Sequence, residues 1–236
     1  MIAADIAANV SRVREQMAEA SLRAGREPSS VRLVAVTKTF PAETVQAAYD
    51  CGLRDFGENR VQEFRQKLPS VRTRAATFHL IGHLQSNKVH PAMVFDWVQT
   101  VDSERLARRL SQSALEAQKT IVALIEVKLG EEAEKSGIPE SELVHLVSIV
   151  APLPGLDLRG LMTMPPYTDD PERARPFFRR LRELRDQLQN SGYANLRELS
   201  MGMTHDFPIA IEEGATIVRI GTALFGPRSG RIVSGE

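Results

Sequence analysis

Eight short apolar runs recur along the chain, and helical patterns fill most of the gaps between them. The runs are VRLVAVT (31 to 37), LRDFG (53 to 57), TFHLIG (77 to 82), FDWVQTV (95 to 101), TIVALIEV (120 to 127), GLDLRGLMT (155 to 163), LRELSM (196 to 201) and ATIVRIG (215 to 221). Runs of four to eight residues rich in Val, Ile and Leu read as strands buried on both faces, the signature of a parallel sheet. Helical patterns follow at residues 41–50, 59–68, 86–91, 103–118, 139–150, 170–190 and 205–213. Repeated strand and helix alternation within 236 residues predicts an α/β fold, a (β/α)8 TIM barrel with an additional N-terminal helix. A doubly wound open sheet is the competing topology. No Gly/Ser/Pro-rich linker, charge-run boundary or internal repeat divides the chain, so one domain is expected over residues 1–236.

The N-terminal stretch MIAADIAANVSRVREQMAEA carries charges throughout and spaces Ile6, Val10, Val13 and Met17 as one helical face, which marks a packed amphipathic helix and no targeting segment. Within 170–190, Asp170 is placed to cap, Pro171 suits the first turn, and Phe177, Leu181, Leu184 and Leu188 form an apolar stripe. The opposite face, with Arg179, Arg182 and Arg185 among Glu183 and Asp186, reads as a solvated surface held by local ion pairs.

Thirty basic residues balance thirty acidic ones, which removes the clustered positive charge that binds nucleic acid. The single cysteine, Cys51, excludes an intramolecular disulfide and any multi-thiolate metal site, in keeping with a reducing cytoplasm. No apolar run approaches the roughly 20 residues that cross a bilayer, so no membrane association is expected.

In a barrel, binding groups gather at the C-terminal ends of the strands. Lys38 closes the first strand there. Walled by apolar residues, an amine loses hydration and turns toward the nucleophilic free base that condenses with an aldehyde; the competing reading is a lysine that snorkels to solvent. Strands seven and eight end in LSMGMTHD and VRIGTALFG, which cluster Ser200, Gly202, Thr204, Gly221 and Thr222 in the loops where barrels often hold a phosphate. An amine facing a phosphate cradle fits pyridoxal 5'-phosphate or a phosphosugar that forms a Schiff base.

The series AVTKTFPAE, FGENRVQE, HLIGHLQSNKV, VQTVDS, KSGI, GLMTM, LSMGMTHDF and VRIGTALFG, in this order from about Val31 to Gly226, resembles the pyridoxal-phosphate homeostasis protein family, whose barrel is similar to the alanine racemase N-terminal domain. The resemblance implies a non-catalytic pyridoxal 5'-phosphate binding protein that holds the cofactor as a lysine aldimine and serves vitamin B6 homeostasis. It puts the Schiff-base lysine at Lys38, the asparagine beside the cofactor at Asn59, phosphate-holding groups at Ser200, Thr204, Gly221 and Thr222, and the arginine facing the pyridine nitrogen at Arg219. A guanidinium has no proton to spare, so it keeps that nitrogen unprotonated and the ring a poor electron sink. Where most members carry serine and an acidic residue, this chain has Thr204 and His205.

The alternative is a racemase-like enzyme dependent on pyridoxal phosphate. Racemisation needs a base on each face of the substrate carbon. Lys38 supplies one, the tyrosine-bearing second domain of barrel racemases has no counterpart here, and of Tyr49, Tyr167 and Tyr193 only Tyr167 is placed to reach the mouth. The expectation is therefore a cytoplasmic monomer whose partners are the cofactor and recipient apoenzymes. A Schiff-base aldolase would need a nearby carboxylate, with Glu58 and Glu126 the candidates. His79 and His83 straddle a strand end, where their spacing does not converge on one metal ion, although His83 is placed to line the pocket. The stretch GEEAEKS (130 to 136) lacks the glycine that precedes a P-loop lysine and reads as a solvated loop. Trp97 and Cys51 read as packing.

Overall fold

The computed structural model describes residues 3–130 and 136–227; most of the GEEAEKS loop therefore lies outside the described residues. The chain opens with α1 (Ala3–Arg23) and continues through β1 (Arg32–Val36), α2 (Ala42–Asp50), β2 (Asp55–Glu58), α3 (Val61–Lys67), β3 (Thr77–Leu80), β4 (Trp97–Val101) and α4 (Glu104–Glu116). Next come β5 (Ile121–Lys128), the short β6 (Ile138–Pro139), α5 (Leu143–Val150), β7 (Leu156–Met162), α6 (Arg175–Asn190), β8 (Glu198–Ser200), α7 (Phe207–Glu212), β9 (Ile217–Ile220) and α8 (Thr222–Phe225). Two 3₁₀ turns, Ser86–Lys88 and His90–Val94, stand where a helix is expected after β3. Pro91 explains the break, since it has no N–H to continue an α-helix.

Every strand pairing is parallel, and the order runs β4-β3-β2-β1-β9-β8-β7-β5, with β6 added beside β5. A pairing of β4 with β5, Trp97 opposite Val122, closes the ring. This is an eight-stranded TIM barrel and not an open sheet. Side chains alternate between its interior and the helix layer. Val34, Trp97, Leu124, Met162 and Ile217 form an inner apolar cluster, while the outer faces of the strands merge with the helices in the main core.

α1 buries Ile6, Val10, Val13 and Met17 against α7 and α8, and Asn9 Nδ2 donates to the Leu224 carbonyl at 3.0 Å. Asp170 caps as expected by accepting from Glu172 N–H at 3.0 Å, but it caps a 3₁₀ turn (Pro171–Ala174) that leads into α6. The buried stripe is consequently Ala174, Phe178, Leu181, Leu184 and Leu188, with Phe177 only half-buried. The arginine face is not held by local pairs alone. Arg175, Arg179 and Arg182 all reach Glu213, just past α7, at 3.2, 2.9 and 3.0 Å, and tie α6 to α7.

Candidate functional site

The parallel registers bring the strand ends to one rim. Ala35 lies opposite Ile220 and Val36 opposite Gly57, so the residues after β1 emerge between those after β2 and β9. Lys38 stands at this point, half-buried, in the turn between β1 and α2. Both of its neighbours are fixed. Thr37 Oγ1 donates to Glu58 at 2.8 Å, and the Thr37 carbonyl accepts from Lys67 Nζ at 3.0 Å. Thr39 occupies the left-handed region at φ 69° and donates its N–H to Glu63 at 2.6 Å. Lys67 joins the two acids, 3.1 Å from Glu58 and 2.6 Å from Glu63. Burial pushes the Glu58 carboxyl up, and Lys67 and Thr37 oppose it. The turn that presents Lys38 is therefore held from beneath by a compact ionic cluster.

Asn59, the residue after β2, is half-buried against Gly82. A Cβ at Gly82 would lie 2.3 Å from the Asn59 carbonyl oxygen, so only glycine permits this approach. Thr100 Oγ1 steadies the same backbone by donating to the Gly82 carbonyl at 2.9 Å.

Gly202 turns the chain after β8 at φ 92°, and a Cβ there would meet Ala210 at 2.6 Å. Its carbonyl accepts from Arg219 N–H at 3.0 Å. Thr204 is half-buried, and its Oγ1 accepts from Ala223 N–H at 3.3 Å, which links the β8 and β9 loops. Gly221 and the exposed Thr222 lead into α8 on the same rim. A cavity of about 400 Å³ opens nearby, lined by Glu126, Lys128, Met164, Tyr167 and Met203 among others.

Arg219 points into the barrel just below the rim and is 3% exposed. It donates through Nη1 to Ser200 Oγ at 2.7 Å and through Nη2 to the Thr163 carbonyl at 3.0 Å. Burial lowers its pKa to about 10, against the opposing pull of Glu126 and Asp206. Two of a guanidinium's five N–H donors are thus used among the described residues. Glu126 is likewise buried, its Oε2 has no partner among the described residues, and burial raises its pKa to about 7.

Lys38, Asn59, Gly202, Thr204, Gly221 and Thr222 thus share the rim, with Arg219 beneath it. Ser200 differs: it is fully buried, and its hydroxyl bridges Arg219 and Gln99. Sequence reading missed Lys67, Gln99 and Thr163. The available signal for Gln99 was an amide inside a fully buried strand. His79 lies wholly inside the barrel, whereas His83 is half exposed and pairs with Asp102 at 3.2 Å. Tyr167 is 76% exposed and packs on His205, with ring centroids 5.7 Å apart.

The family model for the alanine racemase N-terminal domain matches residues 4–229. Relatives called pyridoxal phosphate homeostasis protein include those of Aquifex aeolicus, 45% identical over 93% of this chain and 96% of the relative, and Escherichia coli K12, 40% identical over 95% and 97%. Among solved structures, PipY of Synechococcus elongatus with pyridoxal phosphate bound matches with TM-score 0.84 at 37% identity, covering 94% of this chain and all of that one. An alanine racemase of Clostridium difficile shares the fold at TM-score 0.73 and 12% identity, over 96% of this chain and 58% of that enzyme.

Proposed function

Because this chain belongs to the pyridoxal phosphate homeostasis protein family, we propose that it binds pyridoxal 5'-phosphate at the barrel mouth, with Lys38 as the covalent anchor, and keeps the cofactor in reserve for apoenzymes in the cytoplasm. The observation that carries this reading is the buried Arg219 guanidinium beneath the rim, with N–H donors still unspent among the described residues. A desolvated cation with free donors suits an anionic ring that presents an acceptor. The rim above it fits the rest of the molecule. Lys38 supplies an amine for the aldehyde, which condenses with loss of water. Gly202, Thr204, Gly221 and Thr222 offer small residues and hydroxyls for the phosphate, and Asn59 borders the ring.

The cofactor supplies an electrophilic carbon that would react with stray amines if left free, and the protein's contribution is to mask it. Arg219 disfavours transamination and decarboxylation, because a permanent cation at the ring nitrogen withholds the proton that would make the ring a full electron sink. Tyr167, the one tyrosine on this side of the barrel, faces solvent and is poorly placed as a second base. Ser200 supports Arg219 from below in this reading. The protein acts as a monomeric, single-domain carrier.

The test is the visible absorption of the purified protein mixed with pyridoxal phosphate, beside Lys38→Ala. The proposal expects a new imine band in the wild type that the variant lacks. If neither protein shows the band, the cofactor assignment fails and a phosphosugar ligand moves ahead.

A further inference from the structure

Below Arg219, a file of polar side chains crosses the barrel interior. Ser200 Oγ lies 2.6 Å from Gln99 Oε1, Gln99 Nε2 lies 3.0 Å from His79 Nδ1, and His79 Nε2 lies 3.1 Å from Asp55 Oδ1. Asp55 also accepts from Arg32 Nη1 at 3.0 Å, at the start of β1. Ser200, Gln99 and His79 are each 0% exposed.

The chemistry of the two ends dictates every proton between them. Asp55 is ionised: burial pushes its pKa up, but His79 and Arg32 outweigh that and hold it below the ordinary value. An ionised carboxylate only accepts, so His79 must donate through Nε2. Burial lowers the His79 pKa, the imidazole is neutral, and its Nδ1 therefore accepts. Gln99 must then donate its amide N–H to His79 and present its oxygen to Ser200. Ser200 gives its single proton to that oxygen, which leaves its lone pairs for Arg219, a group that only donates. The assignment is unique and runs one way from Arg219 down to Asp55. Reversal at any link would set two donors or two acceptors face to face with no water to relieve them.

On the reading that Arg219 meets the cofactor ring, the geometry assigns His79 and Gln99 as positioning residues, which set the orientation of the Arg219 guanidinium through Ser200 from the far side of the barrel. Links aligned in one direction polarise each other, so the lone pair Ser200 offers Arg219 depends on an imidazole two hydrogen bonds beyond Ser200. Trp97 packs the lower part of the file in place: its ring lies 5.0 Å from the His79 ring, with Arg32 5.1 Å above its face.

The test pairs two substitutions that differ in donor order. His79→Gln presents an N–H and an oxygen at about the spacing of the two ring nitrogens and preserves the order; His79→Leu destroys it. The first readout is the tautomer of His79 by ¹⁵N NMR, expected neutral with the proton on Nε2. The second is the ring-nitrogen resonance of bound ¹⁵N-labelled pyridoxal phosphate, with its dissociation constant. His79→Gln should keep the wild-type resonance and an affinity within about twofold. His79→Leu should move the resonance toward that of a ring without a donor and weaken binding roughly tenfold, the scale of one buried hydrogen bond to a charged group. Ser200→Ala cuts the last link at little cost in volume and should act in the same direction if His79→Leu does not fold. Proton on Nδ1, wild-type behaviour in both broken variants, or a His79→Gln displacement as large as that of His79→Leu would each overturn the inference. A wild type that takes up no cofactor refutes the binding reading separately, and the tautomer then decides the file alone.

Discussion

Glu126→Gln should make the protein more stable at pH 8 and far less so at pH 5. Glu126 is 2% exposed with one oxygen unpartnered among the described residues, and burial lifts its pKa from 4.5 to about 7. Between those values the folded protein holds a proton that the unfolded chain releases. Folding is therefore penalised progressively as pH rises from 4.5, and the penalty is complete above about 7. At about 1.4 kcal/mol per pH unit, the gap caps it near 3 kcal/mol. Arg219, with a pKa near 10, stays protonated in both states across this range and adds no slope. A glutamine keeps the shape and cannot ionise. Urea unfolding of both proteins at pH 5, 6, 7 and 8 measures the effect: the variant's advantage should grow from about 1 to about 3 kcal/mol. Parallel stability curves would show that Glu126 ionises in the fold at no cost, and the description of the barrel interior would be wrong.

Two further substitutions probe what holds the rim. Gly82→Ala forces a methyl to within 2.3 Å of the Asn59 carbonyl; overpacking of about 3 kcal/mol should lower Tm by roughly 10 °C, and a drop under about 2 °C would show that this approach is not tight. Lys67→Met leaves Glu58, 1% exposed, buried without its cation and should cost about 3 kcal/mol in urea unfolding, whereas Lys67→Met with Glu58→Gln should recover more than half. Equal losses in the single and double variants would mean that Lys67 acts through packing and not through charge.

The barrel was legible because its cause is repetitive. Runs such as TIVALIEV and ATIVRIG have no polar face to offer water, so they must lie between layers, and eight of them with helical spacers close most economically as a ring. The rim was legible because a cation at the end of a buried strand and small residues after the last two strands are local departures from that pattern. What escaped depends on contacts distant in sequence. Ser200 reads as a loop hydroxyl for a phosphate, yet the register of β8 turns it inward to Gln99, 101 residues away. Lys67 looks like an ordinary charge in the last turn of a helix until α3 folds it under Thr37 and Glu58. Phe178 replaces Phe177 on the buried face of α6 where a 3₁₀ turn precedes the helix. The arginines of α6 appear solvated in sequence because Glu213, which gathers three of them, lies beyond another strand.

The central claim is that Lys38 is the amine that meets the cofactor. Borohydride reduction of the protein loaded with pyridoxal phosphate, followed by peptide mass mapping, tests it most directly, because reduction freezes the linkage on whichever lysine holds it. The account predicts one pyridoxyl group per chain, on the peptide containing Lys38. A pyridoxyl group on another lysine with Lys38 unmodified would contradict it.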